Sequence, residues 1–175
     1  MPLQPVVSKR LVQTVLPYKP NALAPVLSET NIDYHYGHLY KGYVDRYNNH
    51  EGSREFNKAG AFLHDIFFTQ FTKPNTPRPG PVFMELIGRW QRFDVFKDEM
   101  LERAMAIQGS GWIYLSSEAA IKTIPNHQIR HDIVLLIDWW EHAWNPDYLW
   151  DKQRYFDNIW RIIDWDHIDA RIAGL

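Results

Sequence analysis

The sequence predicts an α+β protein, in which an N-terminal antiparallel helical hairpin precedes a C-terminal lobe with a three-stranded antiparallel sheet flanked by helices. Three observations support this prediction. Residues 28–71 show helical periodicity around a polar turn, residues 73–81 are rich in proline, and three short β-type runs lie within residues 112–137. Because helical and strand patterns are segregated along the chain, an α+β class is favoured over an alternating α/β fold.

The composition indicates a folded globular chain. Its 175 residues are 45% hydrophobic and carry a net charge of −2, with no apolar run long enough to cross a membrane. We expect a cytoplasmic protein without a signal peptide, and neither a membrane nor a nucleic-acid partner. A viral or particle-associated source stays open. Cysteine is absent, so any metal site uses nitrogen and oxygen ligands, which suit iron, manganese or zinc.

The chain divides into three predicted segments. Residues 1–27 are proline-rich and are expected to form an extended N-terminal arm. Residues 28–75 form the helical hairpin lobe and residues 76–175 form the α+β lobe. The boundary between the lobes falls in the proline-rich linker, where neither helix nor strand is expected to continue.

Two histidines lie on the inward faces of the predicted hairpin helices. In the first helix, His35, Leu39 and Tyr43 recur at four-residue steps and share one stripe. In the second helix, His64 shares a stripe with Gly60 and several phenylalanines. A single inward histidine is usually a satisfied core residue. Two of them on partner helices can approach each other, which weakens that alternative.

The second lobe begins with helical periodicity over residues 82–107, with a junction between two helices expected near Asp94 and Lys97. Short connections between the later strands favour an antiparallel meander. The remaining predicted elements are strands at 112–115, 119–124 and 133–137 and closing helices at 147–163 and 166–172.

The apolar run 134–137 ends in Asp138, and His142 follows four residues later among tryptophans. A carboxylate and an imidazole in such surroundings are costly to bury unless they are paired or ligated. A simple Asp–His ion pair has the same residues, so this pair alone is a weak metal signal. Together with His35 and His64, however, the two lobes offer three nitrogen ligands and one carboxylate.

Five motifs in order along residues 16–172 resemble one known family. The most specific is Asp138-Trp139-Trp140-Glu141-His142-Ala143, and the others are Leu16-Pro17-Tyr18, Tyr34-His35-Tyr36-Gly37, Leu63-His64 and Gly109-Ser110-Gly111-Trp112. Together they resemble the iron/manganese superoxide dismutases. The resemblance implies conversion of superoxide to dioxygen and hydrogen peroxide, an antioxidant role, and one iron or manganese ion per subunit. The implied metal ligands are His35, His64, Asp138 and His142.

The resemblance also implies residues outside the ligand set. Tyr43 falls on the family's active-site tyrosine, and Asn126-His127 resembles an archaeal pair whose histidine takes the outer-sphere role of a bacterial glutamine. An ordinary core tyrosine and a surface histidine are the alternatives at these two catalytic positions. Glu141 is implied at a homodimer interface, where it reaches the partner subunit's ligand histidine.

The chain departs from the family at the entrance to the site. Leu39 replaces a gateway histidine, and Asn145 replaces the tyrosine that pairs with it across the interface. Two alternatives to an active superoxide dismutase therefore stay open. One is a structural or assembly component of the same fold with little or no activity, and the other is an iron oxygenase with two histidines and one carboxylate. Iron and manganese both remain open, as do a dimer and a higher oligomer.

Overall fold

The computed structural model describes residues 9–175, so residues 1–8 of the predicted arm lie outside the described residues. The α+β class and its order, helical hairpin and then sheet lobe, are confirmed. The division at residues 27 and 75 stays a prediction. No helix in the described part is long and apolar enough to cross a membrane.

The helices are α1 (Glu29–Tyr34), α2 (Lys41–Asn48), α3 (Arg54–Thr69), α4 (Pro81–Leu86), α5 (Phe93–Met105), α6 (Glu141–Tyr148), α7 (Lys152–Ile159) and α8 (Trp165–Gly174), and the strands are β1 (Gly111–Ser116), β2 (Ile121–Pro125) and β3 (Ile133–Asp138).

A π-helical turn, His35–Tyr40, joins α1 to α2. Such a turn changes the phase of the residues that follow it, and it often lies at a functional site. As a result Tyr40, only 2% exposed, takes the core position, whereas Leu39 is half-buried. The predicted stripe is therefore wrong at Leu39. His35 and Tyr43 are both buried, as predicted.

The segment before α1 packs on the hairpin of the same chain. Leu11 and Asn48 exchange two hydrogen bonds of 2.9 Å each, backbone N–H to Oδ1 and Nδ2 to backbone oxygen. The Tyr18 hydroxyl donates to the Phe68 carbonyl at 2.8 Å. These contacts hold residues 11–18 against the hairpin. Three apolar side chains of the segment are buried in the core: Leu23, Val26 and Leu27.

The sheet has the strand order β2-β1-β3, so the predicted meander is wrong, although the antiparallel pairing is confirmed. Strand β1 is central: Trp112 pairs with Ile124 of β2 and with Asp138 of β3. The connection 126–132 must therefore run back along the sheet before β3 begins. It starts at the end of the sheet where Trp112 and Asp138 lie, and this places His127 at the same end.

Side chains cover the free edge of β3, all six residues of which are buried. The fully buried Gln70 donates its side-chain N–H to the Leu136 carbonyl and accepts the Leu136 N–H at 3.2 Å. Arg171 donates to the Val134 carbonyl at 3.0 Å. Buried backbone groups need such partners, and an uncovered strand edge leaves them unpaired. Gln70 thus takes the place of a neighbouring strand.

Helix boundaries in the second lobe differ from the prediction. The helix predicted at 147–163 is broken because Leu149 has a positive φ of 54°, a conformation that does not continue a right-handed helix. A new helix, α7, then begins after its N-cap Asp151. The junction expected near Asp94 and Lys97 lies earlier, since α5 already begins at Phe93.

Candidate metal centre

Four side chains from four elements meet in the core. His35 begins the π turn, His64 lies on α3, Asp138 ends β3 and His142 lies in the first turn of α6. The ligand atoms of all four lie within 4.8 Å of one another. Asp138 Oδ2 is 3.1 Å from His35 Nε2, 3.3 Å from His142 Nε2 and 3.8 Å from His64 Nε2. The His142 side chain is 15% exposed, whereas the other three are closed to solvent.

The converging atoms have no hydrogen-bond partner among residues 9–175. Nε2 of each histidine and Oδ2 of Asp138 are buried and unpaired. Buried polar atoms are nearly always paired, and leaving one unpaired costs about 1–3 kcal/mol. One cation contacting all four atoms satisfies them together. Three imidazole nitrogens and one carboxylate oxygen form a donor set that fits a first-row transition metal.

Helix α3 fixes the tautomer of His64. Nδ1 of His64 lies 2.7 Å from the carbonyl oxygen of Gly60, one helical turn earlier. Because a carbonyl only accepts hydrogen bonds, Nδ1 carries the proton and Nε2 presents its lone pair to the cluster. Gly60 has a second role, since a Cβ at this position would lie 2.8 Å from the ring of Tyr43. The glycine therefore lets that ring pack against α3.

The charge states of the cluster also suit a metal. Burial lowers the pKa of His35 to about 4 and that of His64 well below its ordinary value, so both are neutral at pH 7. Burial alone would raise the pKa of Asp138, but the neighbouring His142 and His35 hold it well below its usual range. Trp140 also donates its backbone N–H to Asp138 Oδ1 at 2.8 Å. Neutral imidazoles and an ionised carboxylate are the forms that bind metals.

Tyr43 and His127 form a hydrogen-bonded pair beside the cluster, with 2.9 Å between the tyrosine hydroxyl and His127 Nε2. The indole N–H of Trp112 lies 3.1 Å from His127 Nδ1. Because an indole only donates, Nδ1 is the acceptor, and the neutral ring carries its proton on Nε2. His127 therefore donates to the oxygen of Tyr43, which leaves the tyrosine O–H free to donate elsewhere.

Burial keeps both members of the pair neutral. It lowers the pKa of His127 to about 4 and, together with the charge of Asp138, raises the pKa of Tyr43 to about 12. His127 is only 6% exposed, so the surface-histidine alternative is wrong for this residue. The ring of His127 also stacks on Trp140, with centroids 4.5 Å apart.

The sequence did not identify two residues that contact this pair. Trp112 appears in the sequence only as the end of the Gly109–Trp112 motif, and indole spacing does not indicate a hydrogen-bond partner. Arg46 was not singled out, although its guanidinium carbon lies 4.9 Å from the centroid of the Tyr43 ring. Arg46 follows Tyr43 by three positions on the same helix, and side chains at this spacing are neighbours, so the sequence did indicate that the two could be in contact.

Comparison with known families matches residues 79–171 to "Iron/manganese superoxide dismutases, C-terminal domain" and residues 10–56 to "Iron/manganese superoxide dismutases, alpha-hairpin domain". The chain belongs to the iron/manganese superoxide dismutase family. His64 lies between the two matched ranges, and the structure places it in the cluster with the other three side chains.

Family relatives match nearly end to end. An iron superoxide dismutase from Bacteroides fragilis is 34% identical, over 90% of this chain and 96% of the relative. A manganese/iron superoxide dismutase from Porphyromonas gingivalis is 32% identical, over 89% and 96%. An iron superoxide dismutase from Pyrobaculum aerophilum is 29% identical, over 95% and 94%.

Proposed function

We propose that this protein is an active superoxide dismutase that holds one iron or manganese ion per subunit. The proposed ligands are His35, His64, Asp138 and His142. The observation that supports the proposal is the convergence of four buried, unpaired donor atoms in a chain of this family. The iron-oxygenase alternative uses only two histidines, and it leaves the third converging histidine without a role. Relatives are named for iron and for manganese/iron, so either metal is compatible with the proposal.

A bound ion supplies the one-electron redox chemistry by which two superoxide anions and two protons give one dioxygen and one hydrogen peroxide. The chain supplies charge, proton position and exclusion of water. Asp138 is the one carboxylate among the four donors, so a divalent or trivalent ion would not be fully neutralised and the centre would still attract an anion. Trp112 and His127 hold Tyr43 so that its O–H is available to a reduced oxygen species in the pocket.

The deciding experiment measures metal content and superoxide dismutase activity on one purified sample. We expect about one equivalent of iron or manganese per chain in total, and activity that disappears when a chelator removes the metal and returns when it is restored. A chain that binds metal at this stoichiometry without activity would favour the structural alternative. A chain that binds no metal would contradict both the ligand assignment and the enzyme.

Tyr43→Phe tests the proposed catalytic pair. The variant keeps the ring but removes the hydroxyl that His127 holds at 2.9 Å. We expect activity to fall by about 10-fold or more, as for loss of a positioned proton donor, while metal content stays within about 20% of wild type. Tyr34→Phe, at an exposed tyrosine, is the matched control. Equal loss of metal and activity in Tyr43→Phe would show a structural role instead.

We also infer a homodimer with Glu141 at its interface. Glu141 is exposed and accepts a hydrogen bond from Asn145 of the same chain at 3.3 Å, and the neighbouring His142 is the most accessible residue of the cluster. A two-fold axis beside these residues allows Glu141 to reach the partner's His142, a reciprocal contact of the kind that two-fold dimers make.

Glu141→Ala tests this arrangement by light scattering. The wild-type chain should have twice the monomer mass, and the variant should dissociate at a concentration at least about 10-fold higher, as expected for loss of a charge-assisted hydrogen bond in each half of the interface. Glu118→Ala, at an exposed glutamate next to β1, is the control. A wild-type monomer with full activity would contradict the inference.

A further inference from the structure

Arg46 is a cation in contact with the proposed proton donor, Tyr43. Its guanidinium carbon lies over the ring of Tyr43 at 4.9 Å from the centroid. The ring itself is buried, whereas Arg46 is half-buried. Arg46 is therefore the partly exposed side of this contact, and an anion that approaches the ring from solvent past Arg46 meets a positive charge.

Two neighbours fix the position of this guanidinium. Arg46 Nε donates to Asn57 Oδ1 at 3.1 Å, and the buried Asn57 is anchored in turn by a 2.8 Å hydrogen bond from its Nδ2 to the Glu51 carbonyl. Gly42 leaves room for the side chain, since a Cβ there would lie 2.9 Å from Arg46 Nη1. The arginine is thus held in one place on the ring.

The charge of Arg46 is not cancelled by a carboxylate. Among residues 9–175 it forms no ion pair within 4.0 Å, and the adjacent acid, Asp45, pairs with Lys41. Asn57, its hydrogen-bond partner, is uncharged. A fixed cation without an acidic partner raises the local concentration of anions beside it and their rate of association.

We propose that Arg46 attracts the anionic substrate to the Tyr43 side of the metal centre and positions it there. This inference rests on the proposed function and adds a residue that determines the rate of the proposed reaction. The ligand class is a small monovalent anion, of which superoxide is the substrate. Azide, of the same charge and similar size, serves as a probe of binding without turnover.

The test compares Arg46→Gln, which removes the charge, with Arg46→Lys, which keeps it. We expect the second-order rate constant with superoxide to fall by about 3- to 10-fold in Arg46→Gln at low ionic strength and the difference to fade toward 1 M salt, where charges are screened within about 3 Å. Azide should bind the metal-loaded Arg46→Gln protein more weakly by a similar factor. Arg46→Lys should recover most of both values.

Lys58→Gln is the matched control, since Lys58 is an exposed cation on α3, the helix that also carries Asn57. An equal loss in Lys58→Gln would overturn the proposal in favour of a diffuse surface field. A loss that salt does not reduce, or that Arg46→Lys does not recover, would overturn it in favour of a packing role. Unchanged rate and azide affinity in Arg46→Gln would also overturn it. Wild-type protein with bound metal and no activity would instead refute the proposed function, and this inference with it.

Discussion

Replacing His64 with alanine is expected to remove metal binding and superoxide dismutase activity together. His64 supplies one of four converging donors, and its Nε2 is aimed at the cluster by the hydrogen bond from Nδ1 to Gly60. Removing a residue that only hydrogen-bonds to a metal ligand already lowers metal affinity by about 10- to 100-fold, so removing the ligand itself should cost more. We expect metal content below about a tenth of wild type and activity reduced at least as far, both measured on the same sample.

The control for this variant is His38→Ala. His38 lies in the π turn that carries His35, but it is exposed and is not part of the cluster. The His38→Ala variant should keep wild-type metal content and activity. Far-ultraviolet circular dichroism on both variants separates loss of ligand from loss of fold. A folded His64→Ala protein that retains both stoichiometric metal and full activity would contradict the ligand assignment.

Replacing Gln70 with methionine is expected to destabilise the fold by about 2–6 kcal/mol, because it leaves two buried backbone groups of Leu136 unpaired at about 1–3 kcal/mol each. Methionine keeps nearly the same length and volume, so the change isolates the two hydrogen bonds that the Gln70 amide makes to β3. Urea unfolding of the metal-free protein measures the free energy of unfolding. The metal-free form is chosen because bound metal would add its own stabilisation.

Gln128→Met is the control for Gln70, since Gln128 is exposed and its substitution leaves no buried group unpaired. Its free energy of unfolding should stay within about 0.5 kcal/mol of wild type, as for most surface changes. A loss below about 1 kcal/mol in Gln70→Met would indicate that water or a shifted side chain replaces the amide at the β3 edge.

Local patterns were enough to predict that three side chains of the candidate centre are buried. His35 and His64 were placed by helical periodicity, and the structure buries both. Asp138 was placed by the apolar run before it, and it ends a fully buried strand. Each of these inferences uses only the period of a helix or a strand, which neighbouring residues determine. Burial was therefore predictable from local spacing, whereas the grouping of these side chains as one ligand set was implied by the family resemblance and stays a proposal.

The π turn shows where local periodicity fails. An uninterrupted helix puts Leu39 on the inward stripe, whereas the turn at His35–Tyr40 moves Tyr40 into the core. A π turn is not visible in the hydrophobic pattern, because its position depends on how the helix packs against α3 and the segment before α1.

By itself, the sequence determined the α+β class and the order of the lobes, because residue type and short-range spacing specify these features. Only the tertiary structure decided the strand order β2-β1-β3, and with it the meeting of Trp112, His127 and Tyr43. The same holds for Gln70 against β3 and for Arg46 on the Tyr43 ring. These contacts depend on pairings between distant segments, which sequence periodicity does not encode.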